Sequence, residues 1–336
     1  MRILITGHTG FKGSWLSLML LKQGNQLSGI SLPAEKKSLF LEGNLSKNFE
    51  HDLVQDIRDF HGLYNAIKLV KPDQIFHLAA QPLVLESYKF PRETFDTNFM
   101  GTINLLEALR LLDFRGELIV VTTDKVYKNL EIEKYYKETD ELGGLDPYSA
   151  SKSAIDIAVQ SWMHTLSKFP ISIVRAGNVI GGGDWAKNRL MPDIFTSLAR
   201  GEYPEVRNPD AIRPWQHVLD CLHGYILAMN KLVSTKKGDI WNFGPPIGEI
   251  YKVRDVVETC ADIMGVEGKV TNSPRDHHEA KTLLLDSSKA RKFLDWADKL
   301  NFNNSLAWTL KFNKAQQSGD DTEKLMLSQI EAFHEI

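Results

Sequence analysis

Tyr148 and Lys152 stand four residues apart in Tyr148-Ser149-Ala150-Ser151-Lys152, a spacing that puts both side chains on one face of a helix. A phenol with a pKa near about 10 is a poor base at neutral pH, but a neighbouring ammonium, aided by the positive ring of an oxidised nicotinamide cofactor, favours its ionised form. A phenolate so placed can take the proton of a substrate hydroxyl while hydride leaves the same carbon for an oxidising cofactor. A second group, Thr122-Thr123-Asp124-Lys125, follows the apolar run Leu118 to Val121. If that run is a strand of a parallel sheet, Thr123 lies outside its carboxyl end, where ligands of such sheets collect, and can hydrogen-bond the reacting hydroxyl. Asp124 and Lys125 add an acid and an amine at the same point. Beside a newly formed ketone a C–H becomes acidic, and loss of a hydroxyl from the next carbon needs one group to remove that proton and another to protonate the departing oxygen. The two residues can divide those tasks, which points to dehydration rather than simple oxidation. Either pattern alone also fits a solvated surface, so the argument rests on their company.

That company includes Thr6-Gly7-His8-Thr9-Gly10-Phe11-Lys12-Gly13, which follows Ile3-Leu4-Ile5 and opens a helical stretch. In this context Gly7 allows a tight turn, Gly10 lets the backbone approach a pyrophosphate, Gly13 permits close helix packing, and the helix N-terminus favours the anion. The acidic residue expected about 20 residues later to hold the adenosine ribose is missing at Ile30-Ser31-Leu32-Pro33, which predicts modest dinucleotide affinity. Lys36 and Lys37 could meet a 2′-phosphate or simply line a solvated loop.

Elements able to position these groups recur along the chain. Apolar, β-branched runs at Ile3 to Ile5, Leu27 to Leu32, Ile75 to Leu78, Leu118 to Val121 and Ile171 to Val174 alternate with helical stretches. The fold class is therefore α/β, a Rossmann-type doubly wound parallel sheet. One helix is predicted over Pro91 to Leu112, with Phe95, Phe99, Leu105, Leu106, Leu109 and Leu112 on its apolar face, and a second after Pro147, with Ile155, Ala158, Val159 and Trp162. Sheet packing accounts for both, and a homodimer interface is the alternative role. After about residue 175 the alternation fades into segments rich in Gly, Pro, Asn and Asp. This gives a dinucleotide-binding domain over 1–175 with a returning segment about 215–244, the strand at Asp239 to Phe243. The segments 176–214 and 245–336 form a smaller, discontinuous substrate-binding region.

The 336 residues carry a formal net charge of −3, 43% apolar and 25% charged side chains, and no run near the ~18 apolar residues of a membrane span. No basic surface offers itself to nucleic acid, so small ligands are the expected partners. Cys221 and Cys260 have no metal-ligand spacing and form no disulfide framework, so no metal is expected and a reducing cytoplasm fits. Met1 to Thr6 run straight into the glycine turn, leaving no room for a signal peptide.

The glycine turn in its G-x-x-G-x-x-G spacing, Asp56-Ile57 and Leu78-Ala79-Ala80-Gln81 resemble the extended short-chain dehydrogenases. Thr123, Asp124, Tyr148 and Lys152 match, in order, the catalytic positions of the nucleotide-sugar 4,6-dehydratases among them. Where the dTDP-glucose and GDP-mannose enzymes have a glutamate, this sequence has Lys125, as does the CDP-glucose branch. That branch is also suggested by GHTGFKGSWL (7–16), AAQPLV (79–84), DPYSASK (146–152), RAGNVIGGGDWA (175–186) and IRPWQHV (212–218), matches that extend over most of the chain to about residue 290. The resemblance implies NAD as cofactor, a nucleotide sugar such as CDP-glucose as substrate, a homodimer or higher homo-oligomer, and a place in deoxysugar biosynthesis of the lipopolysaccharide O-antigen kind. It puts Asp56 and Ile57 at the adenine, Leu78 to Gln81 beside the cofactor, and Thr9, Phe11, Lys12, Thr97 and Thr122 in the same cofactor site. Asn178 would contact sugar or phosphate, Arg189 and Leu190 would border the nucleotide, and Arg213 would grip the pyrophosphate. His217 and Trp215 would pack. A nucleotide-sugar 4-epimerase shares the Tyr148-Lys152 pair, but epimerases usually carry small or apolar residues at the Asp124-Lys125 positions. A dinucleotide-sensing regulator would have no need to keep Thr123, Tyr148 and Lys152 together.

Overall fold

The structure, a computed structural model, describes residues 1–186, 189–272 and 280–336. Seven strands make an all-parallel sheet: β1 (Arg2–Thr6), β2 (Gln26–Ser31), β3 (Phe49–Val54), β4 (Gln74–His77), β5 (Glu117–Val121), β6 (Ile171–Ala176) and β7 (Ile240–Phe243). Their order is β3-β2-β1-β4-β5-β6-β7, so the chain reverses its winding between β1 and β4. In such a sheet the crevice outside the carboxyl ends at the reversal point is where ligands bind.

Strand residues alternate between two cores, as a sheet covered on both faces requires. Ile3, Ile5, Ile119 and Val121 face one cluster, built with α1 (Phe11–Lys22). Leu4, Leu118 and Val120 face the other, built with α2 (Phe60–Val70), α3 (Gly101–Leu111) and α4 (Pro147–Ser161). The helix predicted over 91–112 is one run with a π-turn at Asp96–Met100 between Pro91–Phe95 and α3. Asp146 caps α4, accepting from Ser149 N at 2.9 Å, with Pro147 at its first position.

Beyond β6 the chain adds α5 (Leu190–Ala199), α6 (Val218–Thr235), α7 (Val253–Met264), α8 (Ser288–Leu294), α9 (Phe302–Gln317) and α10 (Thr322–Glu335). Asn178–Ile180 pairs in parallel with Trp215–His217, and Ile212–Arg213 pairs antiparallel with Tyr251–Lys252. The third core joins α5, α7 and α9, with Tyr251 stacked on Phe302 at 3.8 Å. The division expected from the sequence differs at its end. Met326, Ile330 and Phe333 of α10 join Trp15 and Leu16 of α1 in the first core, so the last helix belongs with the dinucleotide-binding sheet. The apolar stripe of α10 was free to serve either region, and packing on α1 decided it. Cys221 and Cys260 are buried and unbridged, and among the described residues no His, Cys, Asp and Glu cluster could hold a metal.

Asp220, in the first turn of α6, ties this part of the chain to α6 by accepting from the backbone of Lys299 at 2.7 Å and of Leu300 at 3.3 Å. Burial, despite those bonds, pushes its carboxyl up to about 7. The native chain therefore keeps a proton there that the unfolded chain releases, so stability falls as pH rises through this window and levels off above it. Urea unfolding at about pH 4.5 and about pH 7.5 should show a larger loss for the wild type than for Asp220→Asn. Equal losses would assign the slope to other groups.

Candidate active site

A cleft of about 1000 Å³ runs along the carboxyl ends of β1, β4, β5 and β6. The structure brings into its wall Gly7, Thr9, Gly10, Phe11, Lys12, Gly13, Asp56, Ile57, Leu78, Ala79, Ala80, Gln81, Thr97 and Thr122 from the expected cofactor set. Thr123, Asp124, Lys125, Tyr148 and Lys152 also line it, as do Asn178, Arg189 and Leu190.

The glycine turn fits a dinucleotide pyrophosphate. Gly7 has φ +77° and lies so close to the segment after β4 that a Cβ would sit 2.8 Å from Ala79 N. At Gly13 a Cβ would come within 2.2 Å of Gly7 O, whereas at Gly10 it would meet only Gly7 O, at 3.3 Å, leaving that backbone open to the cleft. No side chain caps the N-terminus of α1, so its amides are available to an anion. Where the ribose carboxylate is missing, Ser31 Oγ instead hydrogen-bonds Thr9 Oγ1 at 2.7 Å. Asp56 is held by Arg58, whose Nη2 lies 2.6 Å away. Lys37 does not wait for a 2′-phosphate: its ammonium sits 3.6 Å from the Trp185 ring centroid. Lys36 is exposed and stands outside the lining.

At the other end Tyr148 and Lys152 project side by side from α4, and Lys152 Nζ donates to Val121 O at 3.3 Å. Thr123 lies near enough to the Tyr148 phenol to oppose the effect of burial there, and its Oγ1 donates to Asp124 Oδ1 at 2.9 Å. Asp124 is 3% exposed and its Oδ2 has no hydrogen-bond partner among the described residues. Burial, against the pull of Lys125, pushes the Asp124 carboxyl up. Burial also drives Tyr148 up to about 12 and Lys152 down to about 8. The expected phenolate relies on the positive charge of the cofactor as well as on Lys152; burial by itself moves both groups toward their neutral forms.

Two buried networks hold this geometry. Asp156, one turn beyond Lys152, receives Arg175 Nη2 at 2.6 Å and Nε at 2.8 Å, and Thr122 Oγ1 at 3.2 Å. Asn98, inside the π-turn, accepts from Gln81 N at 2.7 Å and donates to Ser151 Oγ at 3.0 Å; Ser151 in turn donates to Tyr148 O at 2.7 Å. Together they fix α4 against both the end of β5 and the loop after β4.

Arg213 is the exception among the expected residues. It is 3% exposed, stands outside the cleft lining, and donates to the backbone oxygens of Ile212 at 2.8 Å and Ala280 at 2.6 Å. These bonds staple its own strand, and its charge reaches Asp124 in the cleft. His217 packs, as expected: it caps α6, accepting from Leu219 N, and its ring meets Trp308 edge-on. Trp215 both packs and lines the cleft, with Nε1 donating to Tyr251 O. Trp185, Arg207 and Tyr88 line it too and were not singled out. Of these, Trp185 carried a signal, the aromatic end of a Gly-rich segment.

The sequence profile of the GDP-mannose 4,6 dehydratase family matches residues 4–309. A CDP-glucose 4,6-dehydratase of Salmonella typhimurium is 39% identical over 331 residues, covering 95% of this chain and 92% of that protein. A UDP-glucose 4-epimerase of Lactobacillus helveticus is 26% identical, covering 95% of this chain and 99% of that protein. Among solved structures, the UDP-glucose 4-epimerase of Thermus thermophilus in complex with NAD superposes with a TM-score of 0.83 at 24% identity, over 94% of this chain and 99% of that one. That likeness shows the fold. The profile match and the 39% identity show the family: this chain belongs to the GDP-mannose 4,6 dehydratase family.

Proposed function

We propose that this chain is an NAD-dependent hydro-lyase that converts CDP-D-glucose to CDP-4-keto-6-deoxy-D-glucose and water. The observation that carries the reading is Asp124 and Lys125, set directly after Thr123 at the end of β5 in the wall of the cleft. The 39% identity to a CDP-glucose 4,6-dehydratase supports the choice of substrate. NAD, when bound on the glycine turn, supplies the acceptor for hydride from carbon 4 and its return to carbon 6. Tyr148 takes the proton of the 4-hydroxyl, and Thr123, close to that phenol, orients the same hydroxyl. Asp124, whose burial favours the protonated carboxyl, delivers a proton to the departing 6-oxygen. Lys125 removes the proton from carbon 5 and must be neutral to do so. Asn178, Arg189 and Leu190 hold the nucleotide side of the substrate. A 4-epimerase would expel no water, and a buried acid beside Thr123 with one carboxylate oxygen unbonded among the described residues would have no task in it.

The assembly that suits this surface is a homodimer. Phe95, Met100, Leu111, Ile157 and Leu166, all exposed, lie along the helical runs 91–111 and 147–166. Two buried free cysteines and the lack, among the described residues, of any helix long and apolar enough to cross a membrane suit a cytoplasmic enzyme of deoxysugar synthesis.

CDP-glucose incubated with the protein and NAD should give a product lighter by one water, with the cofactor unconsumed at the end. An unchanged mass, or oxidation that uses up NAD in proportion to sugar, would overturn the dehydratase reading.

Tyr148→Phe removes only the ionisable oxygen. Turnover should fall by ~100-fold or more while CDP-glucose binding, measured by calorimetry, stays near the wild-type value. Near-normal turnover would exclude Tyr148 as the base.

Lys125→Met keeps about the same side-chain length without the amine. Acid quenching during the first turnover should release a 4-keto hexose that still carries its 6-hydroxyl. Normal turnover would make Lys125 a surface residue, and loss of even the ketone would make it a binding residue instead.

A further inference from the structure

On the substrate side the wall of the cleft can be followed outward from the reacting groups. Strand β6 pairs with β5, whose end carries Thr123 to Lys125, and the chain beyond β6 continues into Asn178, paired with Trp215. From these two residues the lining passes to Leu190 and Met191 at the start of α5 and to Arg207. Arg207 directly follows the strand Glu205–Val206, which pairs with Thr271–Asn272. Val206 is buried in the third core with Met191, Ile194 and Trp215. That packing fixes the backbone at Arg207 and leaves its side chain half-buried in the cleft wall. Arg207 therefore belongs to the part of the wall held by the third core, remote from Tyr148 on the sheet. A nucleotide sugar whose carbon 4 lies against Tyr148 and Thr123 brings its base to that remote end, because its pyrophosphate and ribose separate the two. The apolar side chains there can hold any base by its faces without telling one pyrimidine from another. Trp185 spends its one polar atom on Gln316 Oε1 at 3.0 Å, and Arg189 meets Asp184 at 2.8 Å.

We propose that Arg207 selects the base of the substrate, donating two parallel hydrogen bonds to O2 and N3 of a cytosine and thereby rejecting uracil and thymine. The proposal rests on the reading of the cleft as a CDP-glucose site and names the residue that makes the choice. A guanidinium carries its N–H donors in a rigid planar fork and has no acceptor. Cytosine offers that fork two adjacent acceptors, O2 and N3, in the plane of the ring. In uracil and thymine N3 carries a hydrogen, so the same approach sets donor against donor. Leaving such groups unbonded costs more than a formed bond gains, which makes the fork a device of exclusion as much as of attraction. A bidentate contact of this kind discriminates between bases by about tenfold or more. A cation that only met the pyrophosphate would treat all three nucleotides alike, because each carries the same pyrophosphate.

The test compares kcat/KM for CDP-glucose and UDP-glucose, with NAD present, in the wild type, Arg207→Met and Arg207→Lys. The wild type should favour CDP-glucose by about tenfold or more. Arg207→Met should lose about tenfold of that ratio, through a higher KM for CDP-glucose with little change in kcat. Arg207→Lys keeps the charge without the fork, so it should lose the preference too. An unchanged ratio in Arg207→Met would overturn the proposal. So would equal weakening toward both substrates, or a preference that lysine restores, since either would make Arg207 a pyrophosphate contact. A wild type that turns over UDP-glucose as well as CDP-glucose, or neither, would overturn the CDP-glucose reading and this proposal with it. Should the variants not fold, the wild type alone decides through competition against CDP by the diphosphate of a pyrimidin-2-one riboside, which keeps O2 and N3 but lacks the 4-amino group. It should bind nearly as tightly as CDP, and binding as weak as that of UDP would place the selection at the amino group and count against Arg207.

Discussion

Arg175 and Asp156 are both at 0% exposure, and burying two full charges is favourable only when geometry and remaining hydrogen bonds are close to ideal. Here they are. Two guanidinium nitrogens meet the two carboxylate oxygens, and the third donates to the Tyr127 hydroxyl at 2.8 Å. Tyr127 passes the chain on to Asn242 of β7. The pair thus joins β6, α4 and β7, and Thr122 adds the end of β5. Tyr148, Lys152 and Asp156 recur at intervals of four on α4, so fixing Asp156 fixes the helix face that carries the acid-base pair. Loss of either partner would leave an uncompensated charge at the point where the reactive groups converge.

The second constraint works from the cofactor side. A regular α-helix across 91–111 would not carry a π-turn at Asp96–Met100, a distortion that recurs at functional sites. Asn98 uses it to bond both backbone polar groups of Gln81 while reaching Ser151. Thr6 and Thr102 meanwhile bracket His77, which burial lowers to about 3 and so keeps neutral. Strand β1, the segment after β4 and the start of α4 therefore share one hydrogen-bonded framework. The glycine turn and Tyr148 are held by the same set of side chains, so the distance between them is a property of the fold rather than of a loop.

Much of this was legible in the sequence because it depends on local pattern. Continuous apolar runs located β1, β4, β5 and β6, and the glycine spacing placed the turn before α1. Strand β3 went unrecognised because Phe49–Val54 is an edge strand, half exposed on alternate residues and rich in charge, so no apolar run marks it. At Arg213 the sequence shows a guanidinium near a ligand site, but not the backbone oxygens of Ile212 and Ala280 to which it donates. The position of α10 on α1 depends on contacts more than 300 residues apart in the chain, such as Lys22 to Glu331, which no local window contains.

Electrostatics is where sequence reasoning was least able to judge, because adjacency of charges is visible and burial is not. A tyrosine near a lysine suggests a phenolate, and an aspartate beside a lysine suggests an ion pair. In the folded chain burial outweighs every neighbouring charge at Tyr148, Lys152 and Asp124 alike, and each moves toward its neutral form. For Asp124 this suits a proton donor. In the proposed mechanism, ionisation of Tyr148 draws on charge arriving with the ligands as well as on Lys152, which couples proton removal to occupancy of the site. A site organised in this way has little reason to ionise, and little capacity to react, before both ligands are in place.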